Sequence, residues 1–176
     1  MTAYLYTGKC LDYLKTMPSD SIDSIVTDPP YGLKFMNHAW DYDVPTRETW
    51  VEALRVLRPG GYLLAFAGTR TQHRMAVRIE DGGFEIRDSI IWVYAQGMPK
   101  SGGLKPAHEP IIMARKPGKS SLNIDQCRVI RPSGDRTEYG VDGNECSPTN
   151  NTYGERVRVA YKPNEAGRYP ANLIHD

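Results

Sequence analysis

Ile22-Asp23-Ser24-Ile25-Val26-Thr27-Asp28-Pro29-Pro30-Tyr31-Gly32 sets how this chain is read. An apolar run rich in β-branched residues reads as a buried strand, and it ends in an acid, two prolines, an aromatic and a glycine. Neither proline can donate to a strand ladder, so the chain must leave the sheet at Pro29. Asp28 therefore falls at the carboxyl end of a strand, expected to be central, where open α/β sheets place their ligand crevice. The fixed φ of each proline sets the direction of the Asp28 and Pro29 carbonyls, and Tyr31 adds a flat face. An acid, a rigid carbonyl and an aromatic plate suit a planar ring carrying an exocyclic NH2. The two oxygens accept its N–H groups while the ring stacks on the tyrosine. The same five residues also read as a plain turn, which they favour anyway.

Upstream, Tyr4-Leu5-Tyr6-Thr7 has the look of a short strand, and Leu11, Leu14 and Met17 have helical spacing up to Pro18. Downstream, residues 33–44 form a loop bearing Phe35, His38, Trp40 and Tyr42, longer than a plain connection needs. Thr46 suits the N-cap of a helix through Leu57, with Trp50, Ala53, Leu54 and Leu57 on one face and Arg58-Pro59-Gly60-Gly61 as its stop. A strand over residues 62–67, a helix over 70–80, a strand over 84–95 and a short strand over 110–114 follow. In the third of these, Phe84, Ile86, Ile90, Trp92 and Tyr94 are expected to share a face. Residues 97–106 are a basic, glycine-rich loop, in which Lys100 and Lys105 are candidates for phosphate contact. Strands alternating with helices predict an α/β class, with a doubly wound, mostly parallel sheet over residues 1–116. Past Lys116-Pro117-Gly118 periodicity ends, so residues 117–176 read as a recognition or linker region, partly irregular.

The 176 residues are enough for one ordinary domain, and 40% hydrophobic with 24% charged content is globular. A net charge of +1 excludes a global nucleic-acid signature, so any DNA-binding face must be a local patch. Cys10, Cys127 and Cys146 lack metal-ligand or redox spacing and read as free thiols in a reducing compartment. With no signal-like leader and no membrane span in the sequence, a cytoplasmic location is expected. The glycine-rich fingerprint of dinucleotide folds and the phosphate-cradling Gly-Lys-Ser/Thr loop are both missing.

Thr27-Asp28-Pro29-Pro30-Tyr31-Gly32 resembles the catalytic motif of the amino-group DNA methyltransferases, and Leu57-Arg58-Pro59-Gly60-Gly61-Tyr62-Leu63 resembles the helix-to-strand junction that follows it. Trp40-Asp41-Tyr42-Asp43-Val44-Pro45, residues 66–74 and 80–88, Lys105-Pro106-Ala107-His108-Glu109-Pro110-Ile111 and Arg168-Tyr169-Pro170-Ala171-Asn172 are similar to a bacterial and phage branch. The order resembles the permuted subgroup, in which the catalytic motif comes first and a cofactor-binding Asp-Pro-Phe-x-Gly-Ser-Gly motif last. That last motif is missing here. The expectation is the amino-terminal part of a longer enzyme or a naturally truncated gene, to be completed by a missing C-terminal segment or a complementing chain.

The resemblance implies a partial Rossmann-like methyltransferase fold. It also implies methyl transfer from S-adenosyl-L-methionine to the exocyclic amine of a flipped base in double-stranded DNA, as in restriction–modification. Adenine-N6 comes first and cytosine-N4 is the close variant. Asp28, Pro29, Pro30 and Tyr31 take the catalytic place, and no metal is implied. Gly8, Lys9 and Cys10, with Asp28, match the cofactor contact, although Lys9 replaces the family's usual acid. Tyr31, Phe35, Trp40, His108 and Glu109 are candidates for the base pocket. His108 and Glu109 equally suit a structural role at a strand entrance, and Phe35 and Trp40 equally suit loop anchors. An inactive remnant that binds DNA or a partner is the rival reading, and without its cofactor motif the isolated chain is expected to bind cofactor weakly.

Overall fold

The computed structural model describes residues 3–95, 97, 104–119, 122–129 and 169–175. Lys100, Cys146 and most of the irregular tail lie outside them. The chain divides into two compact units, Met1–Ser121 with Asn172–Asp176, and Leu122–Ala171. In the second, the Arg128 guanidinium pairs with Asp125 and lies 4.1 Å from the centre of the Tyr169 ring.

The first unit is built on five strands, β1 Ile22–Thr27, β2 Leu57–Phe66, β3 Glu85–Val93, β4 His108–Arg115 and β5 Leu173–His175, in the order β1-β2-β4-β3-β5. β1 runs parallel to β2 and β5 parallel to β3, while β4 lies antiparallel between β2 and β3. Four strands thus share one direction and the fourth in sequence is reversed. With α1 Cys10–Thr16, α2 Arg47–Val56 and α3 Gln72–Asp81, the architecture is α/β and Rossmann-like. Among the described residues no helix is long and apolar enough to cross a membrane.

The core sits where α2 and α3 cover the odd-numbered side of β2. Trp50 and Ala53 of α2 and Met75 and Ile79 of α3 are buried against Leu63, Ala65 and Ala67, with Ile112 and Ala114 of β4 beside them. These positions follow the two periods the sequence displays, near 3.6 on the helices and 2 on the strand. The other side of β2, with Tyr62, Leu64 and Phe66, is only half-buried, and the Phe66 ring meets Trp92 at 5.6 Å.

Several expectations are corrected. β1 is neither central nor buried: among the described residues it is an edge strand without a buried residue, and Val26 is 67% exposed. Its apolar run resembles that of an interior parallel strand, but sequence cannot say which neighbours flank it. Residues 4–7 form no strand, and Tyr4, Leu5 and Tyr6 are exposed. Residues 58–61 do not separate helix from strand but bulge within β2, where Ile22 faces Leu57 and Ser24 already faces Tyr62. Pro59 cannot join the ladder there, and Gly60 takes a left-handed φ of 79°. Gly60 N–H donates to the Lys116 carbonyl at 3.1 Å and Lys116 N–H to the Gly61 carbonyl at 2.9 Å, tying the bulge to the end of β4. A second bulge, between Ile86 and Asp88, breaks the alternation expected of β3 and leaves Ile86 exposed while Phe84 is buried. At the far edge, Asn172 Nδ2 donates to Asp88 Oδ1 at 3.1 Å and to the Ser89 carbonyl at 3.0 Å, which registers β5 on β3.

This arrangement separates two aliphatic residues that look alike in sequence. Leu63→Ala, at a fully buried site on β2, is expected to destabilise by about 2–5 kcal/mol. Val26→Ala on the exposed edge should change stability by less than about 1 kcal/mol. Urea titrations of the two variants check the difference.

Candidate active site

One edge of the sheet gathers the chemistry, and the reversed strand is the reason. β1 and β2 end at the same edge because they are parallel, with Thr27 opposite Ala65. β4 begins there because it is antiparallel, so Ala67 N–H donates to the Pro110 carbonyl at 3.0 Å. β3 ends there too, with Trp92 opposite Glu109 and Val93 opposite His108. Asp28, Gly68, Glu109 and Tyr94 therefore come to one margin from four separate segments. Asp28 is exposed, while Pro29, Pro30, Tyr31, His108 and Glu109 are half-buried.

Tyr31 is the centre of this margin. Its phenol is held far above its ordinary pKa, first by burial and then by hydrogen bonding to Asp28 and the charges of Glu109 and Asp28, with hydrogen bonding to Glu109 added. The hydroxyl thus stays protonated beside the carboxylates of Asp28, just past β1, and Glu109, in β4. Tyr94 is shifted in the same direction by burial and by Glu109. The ring of Tyr31 packs close to the chain at Gly68, where an added Cβ would lie 3.3 Å from Tyr31 Cδ2 and 3.3 Å from Leu33 Cδ1. A glycine there lets the aromatic plate approach the start of the α3 turn.

Beyond Tyr31 the backbone is held by one buried carboxylate. Asp41 is only 3% exposed. Its Oδ1 accepts Gly32 N–H at 2.9 Å, and its Oδ2 accepts Leu33 N–H at 3.1 Å and Phe35 N–H at 2.8 Å. Its main-chain carbonyl accepts Lys34 N–H at 2.9 Å. Burial alone would push this carboxyl upward, but hydrogen bonds from the backbone of Phe35, Gly32, Leu33 and Tyr31 outweigh it and hold the group below the usual carboxylate range. The loop it closes is strained, since Lys34, Met36 and Asn37 have φ of 56°, 46° and 59°. Such positions cost roughly 1–2 kcal/mol each for Lys34 and Met36 and less for Asn37, whose short polar side chain tolerates that region, and they persist because the carboxylate over-determines the turn.

Gly32 also has a left-handed φ of 67°, and a Cβ there would stand 3.0 Å from Val44 N. The far side of the loop is clamped from α3: Arg78 pairs with Asp43 at 2.6 Å and donates to the carbonyls of Val44 and Pro45. Arg78 thus holds the loop, while Arg70, His73 and Arg74 on α3 and the turn before it are exposed.

The family comparison meets this geometry at the same residues. A family of N6 and N4 methyltransferases, described as DNA methylase, matches residues 22–172. The chain belongs to that DNA methylase family. The type II methyltransferase M.HpaI of Haemophilus parainfluenzae is 32% identical over 138 residues, covering 73% of this chain and 44% of the relative. A Thermus thermophilus protein assigned as a DNA modification methylase shares 26% identity and superposes with a TM-score of 0.50, over 68% of this chain and 56% of its own. The protein M1.HpyAVI, at 22% identity, shows the same fold with a TM-score of 0.51 over 74% of this chain and 63% of its own. The chain spans about half the length of the relatives it matches.

The structure brings Asp28, Tyr31 and Glu109 to one margin and leaves others apart. Phe35 and Trp40 do not close over Tyr31; they stand 57% and 61% exposed on the loop, with Trp40 stacked on His38 at 5.8 Å. Gly8, Lys9 and Cys10 lie in the exposed stretch that enters α1, and Lys105 is exposed on the approach to β4. His108, half-buried, opens β4 opposite Val93. Sequence reasoning missed Asp41, Gly68, Arg78 and Tyr94 as site residues. Asp41 did carry a signal, an acid inside the quoted Trp40-Asp41-Tyr42-Asp43 run, but its nine-residue reach back to Gly32 is tertiary.

Because the folded pKa of Asp41 is lowered, its stabilisation is full above the unfolded value near 4 and is lost as pH falls through the folded value. Asp41→Asn should therefore cost about 2–3 kcal/mol at neutral pH, since an amide faces backbone donors with one acceptor oxygen. The gap from wild type should close below pH 4, as read by melting curves across pH. Gly32→Ala, strained and crowded by backbone, should lower the melting temperature at every pH.

Proposed function

We propose that this chain carries the chemical centre of a DNA methyltransferase acting on the exocyclic amine of a base, adenine-N6 foremost. The convergence of Asp28, Tyr31 and Glu109 on one sheet edge supports this reading most directly. Family membership supports DNA as the substrate. The tyrosine closing the Asp-Pro-Pro-Tyr motif, by its resemblance, favours adenine over cytosine. In this reading residues 1–116 perform the chemistry and residues 117–176 serve target recognition, with Lys105 and Lys100 toward the DNA backbone.

S-adenosyl-L-methionine is the donor we assign, and when bound it supplies a methyl group on a cationic sulfur. The residues present fit that reactive end, because exposed Asp28 and nearby Glu109 make a negative margin. At Gly8 an added Cβ would meet nothing within 4 Å, which leaves its backbone accessible. Lys9 offers only donors, so no side-chain acceptor for a ring amine stands at that position.

The target base leaves the duplex, because its amine cannot be reached inside it. Its amine is a poor nucleophile while the lone pair is delocalised into the ring. Asp28 and the Pro29 carbonyl accept the two N–H bonds, which favours a pyramidal nitrogen with its lone pair free for the incoming methyl. Pro30 keeps those acceptors rigid, and no covalent intermediate is needed. Tyr31 stacks on the base through its ring, worth about 1–3 kcal/mol by analogy with single-strand binders. Its hydroxyl, shared with Asp28 and Glu109, fixes the acid that receives the amine. Glu109, with His108 beside it, lines the base pocket.

In an enzyme completed by a natural extension or a complementing chain, Asp28→Ala should lower single-turnover methylation of duplex DNA by at least about a hundredfold, the scale of losing one preorganised transition-state partner. Folding and DNA affinity should hardly change, because Asp28 is exposed. Tritiated cofactor measures the rate and a melting curve reports the fold. Near-normal turnover, or unfolding, would refute the assignment.

A further inference from the structure

The loop that Asp41 closes presents its largest apolar side chains to water. Met36 is 76% exposed and Phe35 57%. Neither exposure arises from a loose segment. Phe35 N–H is held by Asp41, Asn37 N–H donates to the Lys34 carbonyl at 3.0 Å, His38 N–H donates to the Phe35 carbonyl at 2.9 Å, and the Tyr42 hydroxyl donates to Asn37 Oδ1 at 2.7 Å. Lys34 Nζ lies 5.7 Å from the centre of the Tyr42 ring. A strained turn with so many internal bonds keeps a fixed shape, and that shape displays an aromatic and a flexible thioether side by side. Single exposed apolar residues need no explanation, but a strained turn that displays two of them does.

We propose that Phe35 and Met36 form a wedge that enters the base stack of duplex DNA and fills the gap left by the extruded base. The proposal rests on the reading above, that the substrate is a base taken out of a duplex. Extrusion leaves a hole that some side chain or water must occupy, and Phe and Met are among the residues that proteins insert between base steps. Position supports this occupant over others. The wedge begins four residues after Tyr31, and the same Asp41 carboxylate that binds Phe35 N–H also draws on the backbone of Gly32, Leu33 and Tyr31. One buried acid thus sets the spacing between the plate that receives the base and the tip that replaces it. His38 and Trp40, stacked beside the tip, add flat surface, and Lys34 adds a positive charge toward phosphate.

The test does not depend on the methylation sequence. Fluorescence anisotropy compares binding of the full chain to a paired duplex and to the same duplex with one abasic site, where no base needs to be unstacked. Wild type should prefer the abasic duplex by about tenfold or more, since unstacking a base costs a few kcal/mol and each 1.4 kcal/mol is tenfold. The double variant Phe35→Ser, Met36→Asn should lose that preference to within about twofold while still binding paired DNA. Asn suits the left-handed backbone at position 36, and both side chains are exposed, so the melting temperature should hold. A variant that keeps the preference, or a wild type that binds paired DNA without any preference, overturns the wedge and leaves the methyltransferase reading intact. Failure of wild type to bind either duplex overturns the wedge together with DNA as the substrate. If the substitutions instead abolish self-association in sedimentation and leave DNA preference untouched, the tip is a contact between copies and the wedge is wrong.

Discussion

The Asp41 carboxylate, buried and bonded to the backbone N–H groups of Gly32, Leu33 and Phe35, holds the site in shape. An ionised carboxylate out of water is stable only when its lone pairs are filled, and here main-chain donors of the loop fill them. The acid in return supports left-handed φ at Lys34, Met36 and Asn37. The turn after Tyr31 is therefore a rigid support for the aromatic plate. Arg78 completes it from α3 through Asp43 and the carbonyls beyond, so the loop is tied to an α-helix of the core as well as to itself.

On that support the sheet edge collects negative charge. Asp28 reaches it directly after β1 and Glu109 near the start of the reversed β4, and both carboxylates act on the Tyr31 phenol. A phenol that stays protonated can donate its one proton to a neighbouring carboxylate and leaves the remaining carboxylate oxygens of the margin as acceptors. Ile111, Ile112 and Ala114 of β4 are buried, which makes the strand that carries Glu109 a fixed part of the core.

The chain's division of labour follows from these two features. Rigid positions gather at the ends of β1 and β4, and the displayed positions lie on the loop between Tyr31 and α2. A base acceptor needs fixed oxygens, whereas a duplex contact needs side chains that reach outward. In the proposed reading Phe35, Met36 and Trp40, all exposed on the loop that Asp41 closes, meet the second need.

Most local elements, and the motif at their junction, are legible in the amino-acid order. Proline cannot donate to a ladder, so the strand had to end before Pro29, and 3.6-residue spacing placed Trp50, Ala53, Met75 and Ile79 on buried helix faces. Which strands are neighbours is a matter of the folded chain. A run such as Ile25-Val26 has the same composition at an edge as in the middle of a sheet, and only the pairing shows that β1 is an edge. The reversal of β4, which delivers Glu109 to the margin where Asp28 stands, is likewise a property of strand order. The reach of Asp41 back to Gly32 depends on a turn whose strained φ values no propensity favours. Short-range preferences are written residue by residue, whereas the meeting of distant groups depends on packing that they do not specify.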